Sequence, residues 1–226
     1  IVLLVIGVTA FLLQRQTAPK IIKNTTEHRG STLRIPGLGT IVLALLAMGV
    51  IGGSIDVAVV AFANAQGWPT AASLILAAYA LGSMVAGLAF GAIRVSLPIE
   101  RQFFIGVLLT AATSVLPLLS ADVYILMATI FVAGMSFAPT MVVVMNLGTI
   151  LVPPSRLTEG LTWMTTGISI GVALGAALAG LVIDAYGARA GFGIAIAAGV
   201  VMTIIVLLGR RTLHAASMPQ GGATCS

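Results

Sequence analysis

Charged residues, cysteine and aromatic residues are all scarce in this sequence. Asp, Glu, Lys and Arg make up 8% of the 226 residues, whereas ordinary globular domains carry about 25%. The one cysteine, Cys225, cannot form a disulfide bond within the chain, and a single thiol makes no metal site, so we expect no cofactor. Hydrophobic residues make up 59% of the chain, and the mean hydropathy is +1.14. A soluble fold of this size could not bury so much apolar surface, so the composition predicts a polytopic membrane protein.

The apolar residues occur in long continuous segments, not in the alternating segments of about 10 residues that are typical of a membrane barrel. Because only helices then satisfy the backbone within lipid, we expect an all-α fold. Polar and proline-containing loops separate six complete transmembrane helices, over about 38–63, 70–93, 102–119, 123–152, 158–183 and 191–208. Residues 1–13 are apolar but too few to span, so we interpret them as the end of a preceding transmembrane helix. Residues 14–36 form a basic loop, and residues 212–226 form a polar tail.

Lysine and arginine are distributed unevenly between the loops. If the loops alternate sides, ten of the eleven basic residues fall on one side of the membrane, and only Arg189 falls on the other. The positive-inside rule makes the first side cytoplasmic, with loop 14–36 and the carboxy terminus. We therefore expect a multi-pass protein of the cell membrane (the plasma membrane, or inner membrane of a bacterium). The pI of about 10.2 reflects this orientation. Nucleic-acid binding is not expected, because no basic groove is interleaved with aromatic residues.

One acid, Asp56, lies inside the first complete helix, and a charge at that depth costs at least ~2.5–3.5 kcal/mol on insertion scales. Most residues on its helical face are small (Gly49, Gly52, Gly53, Val60, Ala63). This face suits a close helix contact or a cavity better than lipid. In a dry cavity, Asp56 would load and release a proton as access alternates between the two sides. The alternative is a structural acid bonded to a polar group on a neighbouring helix.

Two segments of the chain repeat each other at an offset of 93 residues. Residues 80–88 (ALGSMVAGL) and 173–181 (ALGAALAGL) agree at six of nine positions. The first copy runs toward the cytoplasm and the second away from it. With three helices in each repeat, this is the pattern of an inverted-topology repeat, which is typical of secondary transporters.

On these features the chain resembles the carboxy-terminal half of a major facilitator superfamily transporter. Residues 37–211 would be this six-helix half, in 3+3 inverted repeats, and 14–36 the central loop. The family has a G-x-x-x-D-[RK]-x-G-[RK]-[RK] motif, and two segments here resemble it: Gly87, Gly91 and Arg94, then Gly180, Asp184, Gly187 and Arg189. Gly91 stands where the family has Asp. The glycines at 167, 171, 175 and 180 resemble the glycine-rich helices of proton-coupled efflux members (drug/proton antiporters).

Further residues are weighed as parts of a substrate or proton pathway. Pro139 interrupts the helix that corresponds to that of Asp56 in the second repeat, and it is either a gate or an ordinary membrane-helix proline. Met145 and Asn146 lie on the same helix, and Met145 is either an adaptable contact or simple packing. Tyr79 faces the membrane interior and contacts either substrate or a neighbouring helix. We expect Asp184 and Arg189 to form an exposed ion pair at the outer rim.

The resemblance implies a secondary active transporter, and the apolar spans favour proton-coupled efflux of a small hydrophobic or amphipathic molecule. Its partners would be this substrate, protons, the bilayer and a missing amino-terminal half. Two alternatives stay open: a sugar or other metabolite permease of the same fold, and a non-transporting six-helix scaffold. A membrane-embedded enzyme is not expected, because the complete spans contain no second acid or histidine at helical spacing from Asp56.

Overall fold

The computed structural model describes residues 37–93 and 96–217, with the backbone alone for 211–217. The predicted helix end at 1–13, the loop at 14–36, Arg94 and the end of the tail from 218 lie outside these residues. The described chain is all-helical, and six of its segments are long and apolar enough to cross a membrane. The α-helices are α1 (Leu38–Ala65), α2 (Ala71–Ala92), α3 (Ile99–Thr113), α4 (Val123–Leu151), α5 (Leu157–Tyr186) and α6 (Gly191–Ser217). The predicted all-α fold with six spans is confirmed.

Two helix ends differ by more than three residues from the predicted ones. The α-helix α3 ends at Thr113, and the predicted span continues as a separate 3₁₀ turn, Leu116–Leu119, which has Pro117 in its first positions. Proline has no backbone N–H and so favours the start of a new helical turn over continuation of the old one. At the other end of the chain, α6 runs to Ser217, past the predicted end at 208 and into the predicted tail. Arg210 and Arg211 end the apolar stretch, but no glycine or proline follows them before Ser217 to end the helix.

The helices alternate in direction, and contacts at both ends of the bundle show it. At one end, Gly209 of α6 packs on Thr40 at the start of α1, and Arg210 lies over the ring of Phe104 near the start of α3. At the other end, Gln66 after α1 donates a hydrogen bond to the carbonyl of Ala121 before α4. Arg101, Arg156 and Arg210 all lie at the first end, which we call the basic end. Arg189 lies at the opposite end, which we call the far end. The described residues therefore carry the charge asymmetry predicted from the loops.

The helix α1 is the most buried of the six, and its longest contact is with α5. The two helices meet backbone to backbone at glycines. A β-carbon on Gly53 would overlap the carbonyl oxygen of Val172, and one on Gly175 would overlap that of Val50. Small residues allow this close approach, which supplies the packing that holds helices together in lipid.

The crossing of α2 and α4 repeats the crossing of α1 and α5. A β-carbon on Gly134 would overlap the carbonyl oxygen of Tyr79, and one on Gly82 would overlap that of Phe131. Gly82 and Tyr79 lie 93 residues before Gly175 and Val172, which is the offset of the sequence repeat. On the other helix of each pair, Gly53 and Val50 lie 81 residues before Gly134 and Phe131. The two glycine–carbonyl contacts of one crossing therefore match the two of the other residue by residue, as the predicted inverted repeat requires.

The crossing makes a prediction for neighbouring glycines of α1. Gly53→Ala places a methyl group against the α5 backbone, so we expect the full-length protein to lose about 1–3 kcal/mol of stability, the usual cost of overpacking. Thermal unfolding of the purified protein in detergent measures the change.

Gly52→Ala is the matched control, because no atom of the described residues lies within 4 Å of where its β-carbon would be. Alanine is the better helix former by about 0.5–1 kcal/mol, so this variant should melt at or above the wild-type temperature. Equal melting temperatures for the two variants would contradict the close crossing.

Candidate functional site

A groove of about 730 Å³ opens on the side of α1 that its neighbours leave uncovered. Three helices line it: α1 forms the floor, and α2 and α5 form the walls. Its lining is mostly apolar, with four polar side chains, and consists of Asp56, Val57, Val60, Ala61, Asn64, Leu76, Tyr79, Gly180, Ile183 and Asp184.

Asp56 lies in the floor of this groove, and its side chain is exposed to it. The sequence predicts either a close helix contact or a cavity on this face of α1, and the structure has both, on adjacent strips of the helix. Gly49 and Gly53 form the strip that contacts the backbone of α5. Val60, one turn further along from Asp56, lines the groove, and Gly52, one turn before it, has open space around it. The α5 contact thus turns Asp56 away from the packed interior and into the groove.

Tyr79 of α2 forms part of the wall next to Asp56. Its ring is half-buried and lies against Phe137 of α4, with the ring centroids 6.0 Å apart and the planes tilted by 57°. This separation lies within the range of favourable aromatic pairs. The carbonyl of Tyr79 is the one that Gly134 approaches, so the α2–α4 crossing fixes the position of this residue from both its backbone and its ring.

Asp184 of α5 is a second carboxylate of the groove, and no Lys or Arg is among the lining residues. The groove is therefore an apolar cleft with two acids and, within the described part of the chain, no basic residue to neutralise them. The sequence analysis predicts Asp184 at the outer rim and assigns no role to Asn64. A usable signal existed for Asn64, because Asp56, Val60 and Asn64 follow each other at intervals of four residues and so share one helical face.

The predicted ion pair between Asp184 and Arg189 is wrong. Arg189 instead donates a hydrogen bond from Nη2 to the carbonyl oxygen of Ala121 at 3.2 Å, and its guanidinium lies 5.9 Å from the centre of the Phe62 ring. Gln66 donates to the same carbonyl at 3.1 Å. Gly187, with φ of 87°, ends α5 between the two charged residues, and this turn directs Arg189 toward α1 and the α3–α4 connection. Arg189 thus joins three elements at the far end and leaves Asp184 to the groove.

The structure brings together only some of the predicted pathway residues. Asp56, Tyr79, Gly180 and Asp184 line one groove, but Pro139, Met145 and Asn146 on α4 do not line it. Pro139 is half-buried, Met145 packs against the core, and Asn146 is exposed elsewhere on α4.

The two motif segments also differ in their surroundings. Gly87 of the first segment lies in ordinary contact with Ala138, 3.6 Å from where its β-carbon would be. Gly91 has no atom of the described residues within 4 Å of its β-carbon position. Gly180 of the second segment has open space on the groove side. Over residues 37–93 and 96–210, no three His, Cys, Asp or Glu side chains are placed to hold a metal ion.

Three solved structures with this arrangement of helices are crystal structures of a mutant of the peptide transporter POT. The structure in complex with sulfate has a TM-score of 0.71 at 20% sequence identity over 84% of this chain, and the structure in complex with alafosfalin has the same score at 19% identity. At this identity the likeness concerns the fold. The chain spans only 41–42% of the length of these transporters. No curated protein matches it.

The sequence profile of the Major Facilitator Superfamily matches residues 40–223, which is most of the chain and all six described helices. The chain therefore belongs to the Major Facilitator Superfamily.

Proposed function

We propose that the whole protein is a proton-coupled secondary transporter that exports a small hydrophobic or amphipathic molecule. The observation that carries the proposal is Asp56, a carboxyl group exposed to an apolar-walled groove at hydrocarbon depth. The helix α1 has 28 residues, and Asp56 lies about 7 Å from its midpoint at 1.5 Å per residue. The hydrocarbon layer extends about 15 Å on either side of its centre.

An acid at this depth has to face protein or water, because a charge in contact with lipid is costly. The groove offers Asp56 such a place, next to Asn64 and Tyr79. A carboxyl group that meets water from one side of the membrane and then from the other takes up a proton on one side and releases it on the other. This is the role we assign to Asp56.

The groove also suits a particular class of cargo. Its walls are apolar, and its charged groups are two acids, with no basic residue among the described residues that line it. An amphipathic molecule with a positive charge would contact the apolar walls and neutralise a carboxylate. A sugar would require more hydrogen-bonding groups than these walls supply, since buried polar atoms without partners are costly.

The rest of the mechanism follows from the fold. Transporters built from inverted repeats bind substrate near the midplane and expose it alternately to each side by rocking of their halves. In this protein, the groove would be one half of the binding site, and an amino-terminal half would supply the opposite wall. We take the basic end as cytoplasmic, in keeping with its arginines.

The proposal predicts that Asp56→Asn abolishes proton-coupled export while protein levels stay unchanged. Asparagine keeps the size and hydrogen-bonding capacity of the side chain but cannot carry the proton. The measurement is pH-gradient-driven flux in proteoliposomes that contain the full-length protein, tested with cationic amphiphiles, sugars, amino acids and a dipeptide.

Asp122→Asn is the control, because Asp122 is a carboxylate outside the groove that accepts hydrogen bonds from the backbone N–H groups of Tyr124 and Ile125 at the start of α4. Asparagine is an equally good residue at a helix start, so this variant should transport normally. Full coupled flux by the Asp56→Asn protein would exclude Asp56 as the proton carrier.

A second prediction concerns Asp184, which we assign to cargo selection. Asp184→Asn should raise the KM for a quaternary ammonium amphiphile by about 3- to 10-fold, corresponding to about 0.7–1.4 kcal/mol of lost attraction. The KM for an uncharged analogue of the same shape should stay the same, and coupling to protons should persist. Equal changes for both compounds would show that Asp184 does not sense the charge of the cargo.

A further inference from the structure

Hydroxyl groups of α3 and α4 form a cluster beside Pro139, in which Thr110 and Thr140 are buried and Thr113 and Ser136 are half-buried. Thr110 and Thr140 lie with their Oγ1 atoms 3.1 Å apart, and Thr113 Oγ1 lies 2.7 Å from Ser136 Oγ. Thr140 also donates to the carbonyl of Ser136 at 2.7 Å. The side chain of Thr110 is 3% exposed and that of Thr140 is 1% exposed. The cluster is thus a polar contact between two helices that are otherwise apolar here.

Pro139 weakens α4 at this point. It lacks a backbone N–H, so the carbonyl of Met135 loses its partner within the helix. Serine and threonine that bond back to carbonyls three or four residues earlier also tend to bend a helix. Ser136 does so toward the carbonyl of Ala133, and Thr140 does so toward that of Ser136, on either side of the proline.

The hydroxyls of α3 bind α4 on both sides of this weak point. Thr113 contacts Ser136, three residues before the proline, and Thr110 contacts Thr140, one residue after it. Gly106 of α3 makes room for this, because a β-carbon there would lie 2.7 Å from Thr140 Oγ1. The contacts of the buried Thr110 hydroxyl are both with α4, namely with the carbonyl of Ser136 at 3.4 Å and with Thr140 Oγ1. Within a membrane this hydroxyl would find no water to replace them if the helices separated, which favours keeping the contact closed.

The equivalent helix of the other repeat has no such arrangement. At the offset of 81 residues, the positions of Ser136, Pro139 and Thr140 correspond to Ile55, Ala58 and Val59 of α1. These three residues are apolar and buried. The proline and the hydroxyls therefore occur together on one of two otherwise matched helices, as expected if the hydroxyls compensate for the proline.

The segment that the cluster holds also borders the groove wall. Phe137, between Ser136 and Pro139, packs on Tyr79, which lines the groove beside Asp56. Thr110, Thr113, Tyr79 and Phe137 surround a cavity of only about 10 Å³, which leaves room for one water molecule at most. A shift of this α4 segment would therefore displace the Tyr79 ring.

We propose that Thr110 and Thr113 are positioning residues that splint α4 across Pro139. The splint makes α3 and α4 move as one rigid unit and holds the Phe137–Tyr79 wall against the groove. Its consequence for transport rests on the proposed function above, but the rigidity of the unit does not. Pro139 is accordingly held fixed and is not a moving gate.

A disulfide bond tests the splint during transport. Thr113→Cys and Ser136→Cys, in a Cys225→Ser background of the full-length protein, replace a hydroxyl contact of 2.7 Å by a covalent one. We expect the oxidised protein to transport at a rate close to that of the reduced protein. Transport that is lost on oxidation and restored by a reductant would overturn the proposal, because α3 and α4 would then have to separate at this point.

Thr113→Val and Thr113→Ser separate positioning from bulk stability. Valine keeps the shape without the hydroxyl, so we expect a several-fold higher KM with a melting temperature near that of wild type, and serine should restore the KM. Thr162→Val is the control, since Thr162 bonds only to its own helix at an exposed site. A KM unaffected by valine, or a serine variant that behaves like valine, would assign no positioning role to Thr113.

Spin labels give a readout that does not depend on transport. With labels at the exposed positions Leu109 of α3 and Val132 of α4, the wild-type protein should show one narrow distance distribution, unchanged by pH or by added cationic amphiphile. The double variant Thr110→Val/Thr140→Val should broaden it. A distribution that shifts with pH or ligand in the wild type would overturn the splint, whether or not the protein transports the compounds tested.

Discussion

The structure depends on how closely two pairs of helices approach each other. Without the glycines at the crossings, the α1 and α5 backbones could not come together, and neither could those of α2 and α4. In lipid there is little hydrophobic gain from joining two apolar helices, so close packing has to supply much of the association energy. Each crossing joins a helix of the first repeat to a helix of the second, so the two matched sets of glycine–carbonyl contacts hold the repeats together in the same way.

The groove is a consequence of this packing. Close contact with α5 and further contact with α6 bury most of α1, and the uncovered strip is the one that carries Asp56. The wall opposite α5 is set by the second crossing, since Tyr79 takes part in it through its carbonyl and contacts Phe137 through its ring. The hydroxyl cluster beside Pro139 then holds the α4 segment on which this wall rests. Site and scaffold are therefore parts of one set of contacts.

Sequence reasoning predicted the features that depend on composition and spacing along the chain. Apolar segments, and the polar and proline-containing loops between them, indicate the six spans, the repeat at an offset of 93 residues and the depth of Asp56. Choosing between neighbours such as Gly52 and Gly53 requires the crossing angle, which a helical pattern of small residues leaves open. The partner of Arg189 was not predictable either, because Ala121 lies 68 residues away and offers only a backbone carbonyl, which the sequence does not mark. The threonine contacts of α3 with α4 could not be predicted from the sequence either, since hydroxyls in apolar spans usually bond to their own helix.

The proposed function requires Asp56 to face a water-accessible groove and not lipid. Its most direct test is thiol reactivity at this position in the membrane-embedded full-length protein, with Asp56→Cys in a Cys225→Ser background. The reference is Leu88→Cys on α2, a residue that is 68% exposed and does not line the groove. We expect a small charged thiol reagent to modify the cysteine at position 56 much faster than the one at position 88. Equal, negligible modification at both positions would contradict it.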